Sequence, residues 1–143
     1  MDKALIKELE EKMDAGAGAA SVEDIPKVFE FFKQIAEENE DLKEELEDMD
    51  IVVQQVLTDV DKKFWLKAQE GKLEYGEGEV DNPSFTFSCT METGAGMLFG
   101  EVDATSAYMA GDITVEGNLQ DAMAFQEIIE LGMEAFEDLL DEM

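Results

Sequence analysis

The spacing of apolar and polar residues divides the chain into stretches of two different periods. From Lys3 to Met13, Leu5, Ile6 and Leu9 share one side of a short amphipathic helix, and residues 15–20 are all alanine or glycine, the composition of a flexible linker. We therefore expect an N-terminal unit over residues 1–20, an amphipathic helix with its Gly/Ala linker, and a main domain over 21–143. Ser21 and Asp24 have capping-box spacing, with Pro26 in the turn that follows, so a helix begins there. Along it Ile25, Val28, Phe32, Ile35, Asn39, Leu42, Leu46 and Met49 recur at intervals of three and four. Two arrangements satisfy that stripe. One long helix over 25–49 can form a parallel dimeric coiled coil, with Asn39 at an a position between Glu38 and Lys43. Alternatively, one helix ends at Asn39 in a left-handed cap, another starts at Leu42, and both pack on the chain's own sheet.

After Met49 the period falls to two. Ile51–Thr58, Lys62–Gln69 and Lys72–Glu77 read as a meander with turns at Asp59-Val60-Asp61 and Glu70-Gly71. Between Ser84 and Thr90, Phe85, Phe87 and Cys89 alternate with hydroxyl residues and are expected to face the core. Trp65, between Phe64 and Leu66, stands either on the less covered sheet face or at the rim of a cavity. From Met91 to Tyr108 the chain reads as short helices broken by Gly94, Gly96 and Gly100. That glycine spacing fits no dinucleotide or phosphate loop and reads instead as a hinge. A closing helix from about Leu119 to Leu140 is apolar over a wide arc, carrying Met123, Phe125, Ile128, Ile129, Met133 and Phe136 among others. Such a helix is buried on several sides or lines a cavity that something apolar fills.

One stretch says more than its periodicity. In Ala107–Phe125, AYMAGDITVEGNLQDAMAF, an apolar helix end meets a glycine-bounded strand in which Ile113 and Val115 alternate with Asp112, Thr114 and Glu116. Gly117 then permits a sharp turn, and Asn118 is placed to cap the helix opened by Leu119. The order of aromatic and small residues, G-x-φ-x-φ-x-G-N with φ apolar, and then Ala122, Met123 and a long apolar helix resembles the sterol carrier protein family. Weaker likeness lies in Lys63-Phe64-Trp65-Leu66 before Glu70-Gly71-Lys72, and in Pro83–Phe87 leading to Met97, Leu98 and Phe99, so that the resemblance covers roughly Pro26 to Leu139. It implies an α+β fold: a five-stranded, mostly antiparallel sheet with helices packed on one face and an apolar tunnel between the layers. It also implies non-catalytic carriage of a fatty acid, fatty acyl thioester, sterol or phospholipid. The likeness sets Met97, Leu98, Phe99, Tyr108, Met123 and Phe125, with Ile128 on the closing helix, on the tunnel wall; read one by one, these residues also fit ordinary core packing.

Length and composition agree with one domain and one site, since the chain has 143 residues and 45% hydrophobic content. No apolar run reaches the roughly 18 residues of a membrane span, and MDKALIKELEEKM is too acidic for a secretory signal, so a cytoplasmic, soluble protein is expected. Charge removes several chemistries. There are 37 acidic residues against 10 basic ones, all lysine, with no histidine, for a net charge of −27. Nucleic acid and anionic membranes would be repelled. Histidine bases, Ser-His-Asp triads, histidine metal sites and arginine clamps are absent by composition.

Cys89, the single cysteine, has no histidine to activate it and fits a buried structural thiol. Asp59-Val60-Asp61 does not continue into a calcium loop. No catalysis, metal or cofactor is expected. The alternative function is an acidic dimerisation or protein-interaction module built on the 25–49 helix, and sterol-carrier-like domains also suggest a partner enzyme. Lipid transfer by so acidic a chain requires collision with zwitterionic or protein partners, or a medium salty enough to screen it; the simplest account of the charge is a solvated surface.

Overall fold

The computed structural model describes residues 2–142, so the expected unit ends at 1 and 143 lie outside the described residues. Helices α1 (Lys3–Ala15), α2 (Asp24–Glu38) and α3 (Glu40–Glu47) precede strands β1 (Asp50–Leu57), β2 (Lys62–Gln69), β3 (Lys72–Glu77) and β4 (Phe85–Cys89). Helices α4 (Met91–Leu98) and α5 (Ala104–Ala110), strand β5 (Thr114–Gly117) and helix α6 (Leu119–Glu142) complete the chain. The sheet order is β3-β2-β1-β4-β5. The expected meander forms its antiparallel half, β4 joins β1 in parallel, and β5 returns antiparallel to β4.

Alternation in the strands fixes which face is covered. Ile51, Val53 and Leu57 of β1 stand beside Phe64, Leu66 and Ala68 of β2 and Phe85, Phe87 and Cys89 of β4, and all are buried under the helices. Trp65 is on the opposite, outer face, half-buried, with Lys67 Nζ 5.3 Å from its ring centroid. Its cross-strand partner is Gly76, where a Cβ would lie 2.5 Å from Trp65 Cζ2. Gln54 fastens the chain after β3 to that face. Its Nε2 donates to the carbonyls of Phe64 and Gly78, and its Oε1 accepts from the Val80 amide at 2.8 Å.

The 25–49 stripe breaks at Asn39. That residue ends α2 and begins α3, its Oδ1 accepting from the Leu42 amide at 3.1 Å. Its backbone is extended (φ −96°, ψ 116°) rather than left-handed as expected, because it serves the following helix as an N-cap. Ile25, Val28, Phe32, Ile35, Leu42 and Leu46 are buried in the chain's own core, whereas a coiled coil needs such a seam facing a partner.

Two glycine-rich segments are more closely packed than their composition suggests. Leu5, Ile6 and Leu9 join the common core, Ala17 is buried in a short 3₁₀ turn over Ala17–Ala19, and the Ala17 amide donates to Glu101 at 3.0 Å. Lys12 lies 3.6 Å from the buried Asp24, and Lys27 pairs with Glu8, so charge pairs add to the docking of α1 on α2. Gly94 and Gly96, expected to interrupt a helix, instead lie buried inside α4. A Cβ at Gly94 would come 2.9 Å from Leu57 Cδ2, and one at Gly96 2.6 Å from Val102 Cγ2. The glycines let the helix approach its neighbours closely, which repays their poor helix propensity.

Candidate functional site

An apolar cavity of about 250 Å³ lies between the β4–β5 end of the sheet and helices α4, α5 and α6. Strand alternation aims Phe85 and Phe87 inward from β4 and Val115 from β5. Gly117 allows the turn that brings α6 back over them. Its φ is +108°, and a Cβ there would meet the Ser84 carbonyl oxygen at 2.6 Å, so only glycine fits. Asn118 caps α6 as expected, accepting from the amides of Gln120 at 2.9 Å and Asp121 at 3.2 Å. The capped helix then lays Ala122, Phe125 and Ile129 over the strands, spaced so that one face covers the cavity. Phe125 stands 6.0 Å, between centroids, from both Phe85 and Phe87.

Four of the seven expected residues meet at this cavity: Met97, Tyr108, Met123 and Phe125. Leu98, Phe99 and Ile128 are buried in the core, outside the lining. Successive helical residues point about 100° apart, so the turn that aims Met97 at the cavity sends Leu98 and Phe99 elsewhere. Phe85, Phe87, Ile113, Val115 and Ile129 form wall that the sequence reading did not assign to the site. Inward alternation was visible at Phe85 and Phe87, but alternation distinguishes inside from outside, not a cavity wall from a filled core.

The mouth is apolar and exposed. Tyr108 is 46% exposed, Leu119 52% and Met123 69%, and Met109 beside them reaches 81%. Thr105, Gln126 and the Tyr108 hydroxyl are the polar groups of the lining. The Gln126 amide is engaged by Glu130 at 3.3 Å and Asp103 at 3.4 Å. A second cavity, of about 470 Å³, adjoins across Met97 and is edged by Glu101, Asp103, Glu130, Glu134 and Glu137. Every lysine lies at or before Lys72, so the segments lining both cavities carry no basic residue.

Reactive groups are equally scarce. Burial, with a smaller contribution from the negative charge of Asp59, pushes the Cys89 thiol up to about 12, which keeps it an unreactive thiol at neutral pH. Among the described residues no three His, Cys, Asp or Glu side chains gather in an arrangement that could hold a metal ion. What the arrangement can do is shelter hydrocarbon.

The model of the SCP-2 sterol transfer family matches residues 32–130, a span that includes both sides of the cavity. The chain belongs to this family. The membership supports lipid binding or transfer in general. Solved structures agree on the fold. The sterol carrier protein domain 2 of Helicoverpa armigera superposes with a TM-score of 0.61 at 19% identity, covering 80% of this chain and 94% of that one. Palmitated SCP2L2 from Aedes aegypti gives 0.57 at 18%, covering 77% and 95%. The sec-alkylsulfatase Pisa1 from a Pseudomonas species gives 0.56 at 17%, covering 60% of this chain, which spans only 14% of that enzyme. No curated protein sequence matches the chain significantly. Among the described residues no helix is long and apolar enough to cross a membrane.

Proposed function

We propose that this SCP-2 family protein binds and carries a lipid, without transforming it, in the cavity between β4–β5 and α5–α6. The observation that carries the reading is the apolar cavity itself, about 250 Å³ and opening through a rim of exposed Tyr108, Leu119 and Met123. Small-molecule sites commonly span about 300–1,000 Å³, so a long chain fills this one only if the walls move apart or the chain extends through the mouth. Met97 and Met123 suit such adjustment, because methionine is unbranched and repacks readily. Widening of this kind would complete the tunnel between the layers. Burying a few hundred square ångströms of hydrocarbon yields on the order of 10 kcal/mol gross, enough for micromolar binding after association costs.

No basic side chain accompanies the cavity, and an acidic protein approaches anionic membranes poorly. The favoured exchange partners are therefore zwitterionic surfaces, or a partner enzyme that hands over its product, in the cytoplasm. Native mass spectrometry of freshly purified protein, followed by solvent extraction, tests this: a stoichiometric lipid mass is expected. An empty protein that also fails to take up a fluorescent fatty chain would sink the reading.

A further inference from the structure

Gln55 is the exception in the covered face of the sheet. It alternates with Val53 and Leu57 in β1, its cross-strand partners are Phe64 and Phe87, and it is 1% exposed. Neither its Nε2 nor its Oε1 has a hydrogen-bond partner among the described residues. Its neighbour Gln54, on the outer face, makes three such bonds with the same chemical group. A buried amide with both ends unpaired is costly to keep, and every other core-facing position of β1 between Ile51 and Leu57 is aliphatic. The position of the amide relative to the cavity gives the cost a use. Phe87 and Met97 are cavity wall. Gln55 lies one strand over from Phe87, and its Nε2 would be 3.0 Å from a Cβ placed on Gly94, one helical turn before Met97. A phenylalanine and a flexible methionine of the cavity wall thus belong to the two elements, β4 and α4, that flank an amide able to donate and accept at once.

We infer that Gln55 is the polar end of the lipid site, reached when Met97 shifts, and that it selects chains whose buried end is a neutral group able both to donate and to accept, a hydroxyl above all. The inference rests on the lipid-binding reading. Neutrality follows from the surroundings: the cavity segments hold no basic side chain to pair with a carboxylate or phosphate, and the neighbouring acidic cavity would repel one.

Two probes with the same number of heavy atoms separate the possibilities: 1-dodecanol, whose end donates and accepts, and 1-methoxyundecane, whose ether oxygen only accepts. Displacement of a fluorescent fatty-chain probe from the full-length protein measures both. Wild type is expected to favour the alcohol by about tenfold, roughly one satisfied hydrogen bond. Gln55→Leu and Gln55→Met are each expected to bring the ratio to about one while still binding the fluorescent probe. An unchanged ratio in both variants would overturn the assignment, as would a crystal structure of the dodecanol complex in which Gln55 holds a buried water instead of the ligand. Failure of wild type to take up the fluorescent probe at all would instead defeat the lipid-binding reading itself.

Discussion

At the scale of single residues, the two groups most displaced from their ordinary titration among the described residues lie under the helices. Cys89 is raised from 9.0 to about 12, chiefly by burial. Tyr75 is raised from 10.0 to about 12 by burial and by donating to Glu30 at 2.8 Å. Both folded values exceed the unfolded ones, so the protonated forms stabilise the fold fully below about pH 9, and that contribution is lost as pH rises toward 12. Urea denaturation between those limits should show stability falling, with a shallower fall for Cys89→Ala; identical slopes would contradict the burial of the thiol. Gly132 offers a steric test of the core. A Cβ there would stand 2.4 Å from Phe32 Cε1, and Phe32 is fully buried with Phe31 packed 5.9 Å away, so the ring has little room to yield. Gly132→Ala should destabilise by about 1–3 kcal/mol despite alanine's better helix propensity. A gain in stability on denaturant titration would show that the α2–α6 packing is looser than described.

At the scale of elements, caps and glycines decide where helices stop and how close they come. Asn39 separates α2 from α3 through its bond to the Leu42 amide, and Asn39→Ala should cost about 1 kcal/mol in thermal or urea unfolding; a neutral result would mean the break is held by packing alone. The α5–β5–α6 arrangement makes the cavity. Ala122 lines it from α6 and is only half-buried, so Ala122→Phe should lower uptake of a fluorescent fatty chain by about tenfold with folding retained, whereas unaffected uptake would move the site elsewhere. Much of this was legible beforehand. Period two marked the five strands within a residue or two, Gly117-Asn118 marked the turn and cap, and four of the seven residues expected on a tunnel wall lie along the cavity. The misses share one cause: local spacing carries no information about what packs opposite. Gly94 and Gly96 read as helix breakers because the nearness of β1 and Val102 was invisible, and Gln55 went unnoticed because a polar residue in an apolar run has no meaning until its missing partners are known.

At the scale of the molecule, the dominant fact is charge. A net −27 on 143 residues makes the folded state repel itself, and the asymmetry is strong, since all the lysines lie at or before Lys72. Among the described residues few attractive pairs oppose this. Lys63–Glu79 is exposed, at 2.6 Å, as is much of Lys27–Glu8, and Lys12–Asp24 is longer, at 3.6 Å. The exposed pairs are weak because water and salt screen them, while the excess of carboxylates acts over the whole surface. Salt weakens both, because the screening length falls from about 30 Å at 0.01 M to about 3 Å at 1 M. The repulsion spans longer distances and involves more groups, so its loss outweighs that of the pairs, and folding forces like charges closer than the unfolded chain does. The melting temperature should therefore rise by several degrees from about 0.01 M to about 0.5 M sodium chloride, and calorimetry at the two concentrations measures it. Sodium sulfate would confuse the answer by strengthening apolar burial as well, so the chloride series carries the test. A flat or falling melting temperature would mean that the few lysine pairs matter more to this fold than its surplus of negative charge.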